Sequence, residues 1–346
     1  MSLTFGIRIP ACERLRTVAG AAAAAEAAGF DVVWTLDSPL LAGRLLDPYL
    51  ALAAMAQATR RIGLGVAVTN PFIRHAIATA CAALSLDDLG EGRALLGIGS
   101  GDSAMRTLGH EGADGGGGTH AGRRDAVRET VRILADIFAG KAVTLRGRTF
   151  ALDAPRRPIP LYVAATGPRM LELAGELADG VIIQVGIHRP CVEWAIEHIH
   201  RGARQAGRDP RTVQVVCSTF TAVSDDRPLA IDRARPLTAW FYGVHPKLLE
   251  MAGIPVTRRH PLRTVFPDIS HPADHEAAMA EAKHYVADEA VEKFCLVGSP
   301  AECVERIREL ERLGVHQIFF RNYPTYKLPT DLIEVAGRAI LPRFRR

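Results

Sequence analysis

Short apolar runs alternate with longer amphipathic stretches along most of the chain, and this pattern predicts strands and helices in turn. Strands that alternate with helices favour parallel pairing, so we expect an α/β fold, either a (β/α)8 TIM barrel or an open, doubly wound sheet. The eight predicted strands are residues 3–9, 31–36, 62–68, 94–98, 161–165, 181–185, 213–223 and 317–321. The predicted helices include one that ends at Gly29, others at residues 47–59, 76–89, 124–138, 169–178, 190–206 and 302–313, and a terminal helix.

Three of these strands end in polar loops that contain glycine or proline. The segments are RIGLGVAVTNPFIRH at 61–75, RALLGIGSGD at 93–102 and PLYVAATGPR at 160–169. In a barrel, the carboxyl ends of all strands meet at one rim, and the active site lies there. The repeated design therefore predicts a barrel whose rim carries the chemistry.

Two segments interrupt the regular alternation. One insertion lies near residues 103–123 and contains DGGGG at 114–118, and the other, near 225–290, is rich in proline and histidine. Long loops in compact domains are usually functional. We expect a single domain over residues 1–346, with a small hairpin at 143–152 and with both insertions over the substrate.

Composition narrows the class of protein. The chain has 346 residues, 48% hydrophobic, 23% charged, with a formal charge of +4. No basic run interleaves with aromatics, so a nucleic-acid partner is not expected. The six cysteines are scattered without a CxxC pair, which indicates reduced thiols and a cytoplasmic setting. No run of 18 strongly apolar residues predicts a membrane span.

The loop after the fourth strand resembles a dinucleotide fingerprint but lacks its last glycine. Gly97, Gly99 and Gly101 are followed by Asp102, where the fingerprint needs glycine. The glycines would instead let the backbone approach a planar ligand, with Asp102 as an acid or hydrogen-bond partner. A plain tight loop is the alternative interpretation.

The loop after the fifth strand has the features of an anion site. Thr166 can cap the following helix, and Pro168 suits its first turn. The free N–H groups there would donate to an anion, and Arg169 could donate to the same anion in a bidentate manner. An ordinary helix start explains the same residues. Asp37, Arg74 and His75 follow the second and third strands and should reach the same rim.

Other catalytic patterns are weak. His271, His275 and His284 suggest a check for metal, but no HExxH or nearby carboxylate pattern supports zinc, so no metal site is expected. His245 and His260 are interpreted as surface or substrate-loop residues. There is no GxSxG nucleophile motif.

Taken together, the motifs resemble one known family. VTNPFIRH, GIGSGDSAMRTLG and PLYVAATGPRMLELAGELADGVI are similar to the bacterial luciferase-like superfamily, and in particular to its methylenetetrahydromethanopterin reductase-like branch. The resemblance extends from Phe5 to about Phe320 and includes DEAVEKFCLVGSPAEC at 288–303. It implies a (β/α)8 barrel with insertions that binds FMN or the deazaflavin coenzyme F420 at its carboxyl rim.

The resemblance also implies roles for single residues. It places a bulge with a non-proline cis peptide at Ala67–Val68, and catalytic roles at Asp102, Asp37 and Ser38. Relatives that use the deazaflavin often have His at the position of Ser38. The implied cofactor-binding residues are Ala67, Val68, Thr69, Asn70, Gly99, Gly101, Asp102, Ala165, Thr166, Gly167, Pro168 and Arg169. Arg74, Arg106 and Arg169 would surround the rim and could hold a polyanionic tail.

The resulting hypothesis is an oxidoreductase that uses F420 for hydride transfer to or from a small organic substrate. The main alternative is a monooxygenase that uses O2 and reduced FMN from a partner flavin reductase. A non-catalytic flavin-binding barrel and a zinc hydrolase barrel are further alternatives. Because relatives often dimerise, a homodimer or larger homo-oligomer is expected, without nucleic-acid or membrane partners.

Overall fold

The computed structural model describes residues 3–39, 45–108, 120–145, 147–151, 158–256 and 274–345. The predicted glycine loop at 114–118, His260 and His271 lie outside the described residues, as do the side chains of Arg106 and His275.

Eight parallel strands form a closed barrel. The strands, in chain order, are β1 (Thr4–Arg8), β2 (Val32–Thr35), β3 (Gly63–Thr69), β4 (Ala94–Ile98), β5 (Val143–Leu145), β6 (Arg148–Phe150), β7 (Leu161–Ala165), β8 (Gly180–Ile183), β9 (Gln214–Val223), β10 (Leu296–Gly298) and β11 (Gln317–Arg321). The barrel order is β1-β2-β3-β4-β7-β8-β9-β11, and it closes because β11 pairs with β1. The predicted TIM barrel is therefore confirmed, and the open sheet is wrong. β5 and β6 form the predicted hairpin apart from the barrel.

Helices surround the barrel. They are α1 (Leu15–Ala28), α2 (Pro48–Ala58), α3 (Ala76–Leu89), α4 (Asp102–Thr107), α5 (His120–Phe138), α6 (Pro168–Leu177), α7 (Arg189–Gln205), α8 (Arg227–Val244), α9 (Pro246–Met251), α10 (His275–Lys283), α11 (Asp288–Phe294), α12 (Pro300–Arg312) and α13 (Thr330–Val335). A π-helical turn (Ala336–Ile340) and two short 3-10 turns (Pro210–Thr212 and Leu341–Arg343) complete the helical segments described.

Local sequence explains several helix boundaries. Gly29 ends α1 with φ of 98°, which glycine adopts at little cost. Asp47 caps α2, because its side chain accepts from the amides of Tyr49 and Leu50. Several elements were not predicted individually, among them α4, the long α8 with Pro236 inside it, and β10, which extends the sheet beside β9.

Side-chain alternation divides the strands between two cores. Alternate residues point into the barrel, where Val32, Trp34, Tyr162, Ile182, Val216 and Phe319 form one cluster. The other faces pack against the helices. The indole of Trp34 fills the centre and donates to Gln317 Oε1 at 2.8 Å. Gly65 leaves room for it, because a Cβ there would lie 2.3 Å from the ring.

Two contacts away from the carboxyl rim fix neighbouring helices. At the amino end of β3, the Glu26 carboxylate of α1 accepts from the backbone N–H groups of Arg60, Arg61 and Ile62, at 3.0, 2.6 and 2.8 Å to Oε2. Between α6 and α7 the backbones touch, because a Cβ on Gly202 would lie 1.9 Å from the carbonyl oxygen of Glu172.

Five of the six cysteines are buried, and Cys81 on α3 is exposed. Burial raises the pKa of the thiols of Cys191 to about 11 and of Cys217 to about 12, so both are protonated near neutral pH. Among the helices described, none combines the length and apolar character that crossing a membrane requires.

Candidate functional site

A cavity of about 740 Å³ opens at the carboxyl rim of the barrel. The residues that the resemblance implied for catalysis and cofactor binding all line this cavity, except Thr69. Arg74 and His75, which were also expected at the rim, do not line it. Its walls come from the ends of the barrel strands, from the starts of α4, α5 and α6, and from the end of α8.

One wall is the end of β3. The pairing of β3 with β4 shifts register between Val66 and Thr69, so the strand bulges there. The Ala67–Val68 peptide bond is cis, as the resemblance predicted. Ala67 and Val68 both face the cavity and present a small apolar surface.

Gly97 of β4 and the two glycines that follow the strand, Gly99 and Gly101, are required by close contacts with β3 and the loop after it. A Cβ on Gly97 would lie 2.6 Å from the Val66 carbonyl oxygen, and one on Gly99 would lie 2.6 Å from Val68 Cγ2. Gly101 has φ of +73° and a Cβ there would lie 2.5 Å from Asn70. The strands therefore approach more closely than any side chain allows, and Gly99 and Gly101 leave the cavity wall flat.

Asp37 belongs to a buried polar network behind the wall. Its Oδ2 accepts from Thr69 Oγ1 at 2.7 Å and from Arg74 Nε at 3.1 Å. Arg74 also pairs with Asp47 at 2.7 Å and lies over the ring of Tyr49. The predicted role of Arg74 in holding an anionic tail is therefore wrong, because two carboxylates already neutralise it and it does not line the cavity.

One side-chain atom of Asp37 and one of Asn70 are available to a ligand. Asp37 Oδ1 is buried and has no hydrogen-bond partner among the described residues. Asn70 uses its Oδ1 to accept from the amides of Phe72 and Ile73, which leaves its Nδ2 to donate elsewhere. Asp37, Asn70 and the buried Ser38 all line the cavity.

Asp102 and His245 lie on the cavity wall near one another. Asp102 begins α4 and is exposed, while His245 lies at the junction of α8 and α9, with its ring against Trp240. Burial lowers the pKa of His245 to about 4, although the nearby Asp102 carboxylate opposes the shift. His245 is therefore neutral at pH 7. Sequence analysis interpreted His245 as a surface or substrate-loop residue.

The start of α6 supplies a positive edge. Gly167, not Thr166, occupies the N-cap, and no side chain caps the helix, so the predicted capping role of Thr166 is wrong. The amide of Arg169 points out of the first turn, where the helix dipole favours anions. Arg169 is exposed and lines the cavity, as do Arg123 and Arg124 of α5. The last two arginines were not predicted.

The floor of the cavity is polar on one side. Four polar residues line it there: Arg8 and Arg321, the last residues of β1 and β11, Gln184 directly after β8, and Ser218 within β9. None of these four was predicted as a site residue.

Known proteins resemble this chain over almost all of its length. Residues 3–317 match a family model described as luciferase-like monooxygenase. The chain is 32% identical to the 5,10-methylenetetrahydromethanopterin reductase of Methanolobus tindarius over 91% of this chain and 93% of the relative. It is 31% identical to the F420-dependent glucose-6-phosphate dehydrogenase of Beutenbergia cavernae over 93% of this chain and 91% of the relative.

A solved structure has the same architecture. The coenzyme F420 dependent tetrahydromethanopterin reductase from Methanopyrus kandleri matches with a TM-score of 0.81 and 25% identity, covering 100% of each chain.

Proposed function

The chain belongs to the luciferase-like monooxygenase family, and from that premise we propose that it is an oxidoreductase that uses coenzyme F420 to transfer a hydride to or from a small organic substrate. The observation that carries this proposal is full-length similarity, above 30% identity, to relatives whose names include methylenetetrahydromethanopterin reductase and F420-dependent glucose-6-phosphate dehydrogenase.

The cavity fits a flat ring with a charged tail. The surface formed by Ala67, Val68 and Gly99 is apolar and nearly without side chains, so an aromatic ring can lie against it. Asn70 Nδ2 can donate to a carbonyl on the edge of the ring. Arg123, Arg124 and Arg169, together with the amide of Arg169 in the first turn of α6, would bind phosphate and carboxylate groups of the tail.

When bound, the deazaflavin supplies the hydride chemistry, and the protein supplies orientation, proton handling and exclusion of water. Asp102 lies at the exposed edge of the cavity and can hold or release a proton at its carboxylate oxygen. His245 is neutral at pH 7, so its ring nitrogens can donate to or accept from a substrate oxygen without adding charge. Trp240 and Leu237 keep that wall apolar.

Asp37 and Ser38 would act beside the ring. The fixed network of Thr69 and Arg74 holds the Asp37 carboxylate in place, which leaves Oδ1 as an acceptor at the cavity. Ser38 has a hydroxyl that can hydrogen-bond but is a poor general acid near neutral pH.

Coenzyme binding tests this proposal directly. Purified protein is titrated with oxidised F420 and, separately, with FMN, and binding is followed by fluorescence. We expect micromolar or tighter affinity for F420 and at least 100-fold weaker affinity for FMN. Tight binding of FMN alone would overturn the choice of coenzyme in favour of the monooxygenase hypothesis.

Turnover is tested with the loaded protein. Reduced F420 is mixed anaerobically with a panel of carbonyl compounds, and its oxidation is followed by absorbance. Oxidation that depends on one class of compound supports the enzyme, whereas binding without turnover on any compound supports a non-catalytic barrel.

We also propose a homodimer or larger homo-oligomer in the cytoplasm. Leu46 and Leu50 are both exposed, four residues apart along the chain at the start of α2, which supports a self-association surface. Sedimentation velocity at micromolar concentration would measure the assembly, and a monomer throughout would contradict it.

A further inference from the structure

Two arginines meet at the floor of the cavity. On β11 the inward residues are Gln317, Phe319 and Arg321, and on β1 the inward Gly6 is followed by Arg8. Arg8 is only 3% exposed, yet both side chains line the cavity. The two guanidinium groups are close enough that the charge of Arg8 disfavours protonation of Arg321.

Among the described residues, the hydrogen-bond partners of both arginines are neutral. Arg8 donates through Nη2 to the carbonyl oxygen of Asn322 at 3.0 Å, and its Nε is buried without a partner. Arg321 donates to Gln184 Oε1 and to Ser218 Oγ, and its Cζ lies 4.0 Å from the centre of the Phe220 ring. No described carboxylate forms an ion pair with either arginine.

This arrangement differs from that of two other arginines, one beside the cavity wall and one in the core. Arg74 has two carboxylate partners, and Arg235 of α8 pairs with Asp232 and Asp288. An unneutralised pair of like charges in a low-dielectric interior is unfavourable, because neither Coulomb attraction nor water compensates the loss of hydration.

The loss of hydration of the two guanidinium groups lowers their pKa values. Burial lowers the pKa of Arg8 to about 10 and lowers the pKa of Arg321 well below its usual value, while the nearby Tyr326 opposes both shifts. Arginine stays protonated even so, hence the floor carries two positive charges at neutral pH.

The floor has two chemically different halves. Along or directly after β2, β3, β4 and β7, the inward-facing position nearest the rim holds Leu36, Ala67, Gly99 and Ala164, respectively. These four residues are all apolar or lack a side chain, and they form one half of the floor. The corresponding layer at the ends of β1, β8, β9 and β11 consists of Arg8, Gln184, Ser218 and Arg321. A flat ring fits the first half, and the second half remains for the other reactant.

We propose that Arg8 and Arg321 form a subsite for an anionic group of the substrate, a carboxylate or a phosphate, on the side of the cavity opposite the wall at Ala67 and Gly99. This inference rests on the proposed function for the identity of the ring, but the anion site itself does not. Arg321 presents a planar fork that suits a bidentate oxyanion, and the unpartnered Nε of Arg8 supplies a further donor. The substrate class is therefore a small acid or phosphate ester with a reducible or oxidisable centre.

The first experiment needs no coenzyme. The unfolding temperature of the protein is measured at increasing concentrations of inorganic phosphate and constant ionic strength. All proteins carry Arg169→Gln, which weakens anion binding at the start of α6. We expect the added substitution Arg321→Met to weaken the phosphate affinity at least tenfold relative to the Arg169→Gln parent. The affinity of the Arg321→Lys variant should lie between those of the parent and the Arg321→Met variant. Equal phosphate affinity in all three proteins would overturn the subsite.

The same measurement distinguishes a binding role from a structural one. Without phosphate, Arg321→Met should unfold at the same temperature as its parent or higher, because it removes an uncompensated buried charge. A large fall in unfolding temperature would instead indicate that Arg321 holds the fold together, and would contradict the proposal.

The second experiment uses the coenzyme. Reduced F420 is offered with matched pairs of carbonyl compounds, each a carboxylic acid and its methyl ester. We expect Arg321→Met to lower kcat/KM for the acids at least 100-fold and for the esters less than threefold. If Arg321→Met instead weakens F420 binding tenfold and treats acid and ester alike, the arginines serve the coenzyme and the substrate assignment is wrong. If the wild-type protein does not bind F420, the proposed function fails, but the phosphate measurement still decides the subsite.

Discussion

At the scale of single residues, the two carboxylates that line the cavity, Asp37 and Asp102, lie in different surroundings. Asp37 and Arg74 neutralise each other behind the β3 wall, and Asp47 completes the network. Asp102 is different, because it is exposed at the cavity and its charge acts on His245. Asp102 is therefore better placed for proton exchange with a substrate than Asp37.

Replacing Asp102 by Asn tests that placement. The amide keeps the shape of the side chain but cannot exchange a proton, so we expect kcat to fall about 100-fold, within the usual range for general acid–base groups. The dissociation constant for F420 should change less than threefold. Steady-state rates with the best substrate of the carbonyl panel, together with fluorescence titration, measure both. Unchanged kcat would remove Asp102 from the mechanism.

Arg169 permits a second test at this scale. Arg169→Gln removes one charge from the positive edge, and we expect F420 affinity to fall about tenfold at low salt and less at high salt, because screening already weakens the contact. Arg189→Gln is the matched control, since Arg189 also lies in the first turn of a helix but does not line the cavity. Titrations at two ionic strengths give the comparison, and equal losses in the two variants would contradict the assignment.

Sequence analysis found the residues that follow strands in short loops. Asp37, Ser38 and Asn70 come within a few residues of a strand end, so the barrel alone carries them to the rim. Arg123, Arg124 and His245 reach the cavity from helices, and their positions depend on how those helices pack. Arg8 and Arg321 were missed because each is the last residue of a strand, β1 or β11, and not part of the loop that follows it.

At the scale of elements, α6 and α7 form the tightest helix pair. Gly202 of α7 touches the backbone of α6 at Glu172, and Gly175 of α6 touches α7 at Ile199, where a Cβ would lie 2.0 Å from the carbonyl oxygen. Since α6 begins with the anion-binding turn at Arg169, the position of that turn depends on this contact.

Gly202→Ala should therefore affect both stability and binding. The added methyl cannot fit against backbone, so α7 must move, and we expect a loss of about 2 kcal/mol in the free energy of unfolding with several-fold weaker F420 binding. Gly20→Ala on α1 is the control, because nothing lies within 4 Å of its Cβ position. That variant should gain about 0.5–1 kcal/mol from helix propensity. Urea unfolding of both variants measures the difference, and a neutral Gly202→Ala would contradict the close contact.

The elements that the sequence did not predict have physical reasons in common. Pro236 lies inside α8, where proline removes an amide donor and normally marks a helix end. β10 has three residues, too few for a periodic pattern, and it pairs only because β9 extends beyond the barrel. α4 begins immediately after glycines that indicate a loop. Packing against neighbours decides all three.

At the scale of the whole molecule, the two ends of the barrel have different tasks. The carboxyl rim carries the cavity, and the amino end contains contacts that only hold elements together, such as Glu26 against the amides before β3. Partial burial raises the pKa of Glu26, but the hydrogen bonds from Ile62, Arg61 and Arg60 and the charge of Arg61 outweigh it, and the net shift is downward.

Glu26→Gln tests this division. Because the pKa of Glu26 is lower in the folded state, its contribution to stability is complete above the ordinary glutamate pKa of 4.5 and is lost as the pH falls through the folded value. We expect the variant to lose about 1 kcal/mol at pH 7, with the difference from wild type shrinking towards pH 3. F420 affinity should stay unchanged, in contrast to Arg169→Gln. Denaturant unfolding at several pH values measures the first effect, and a constant difference at all pH values would contradict it.

The distribution of thiols has a practical consequence. Cys81 alone among the six cysteines is exposed, and it lies five residues into α3, about 8 Å along the axis from the end of the helix at the rim. A maleimide dye would therefore attach at one known position on the native protein without any engineering. Energy transfer between that dye and a fluorescent ligand in the cavity would report occupancy in real time, including the order in which two reactants arrive.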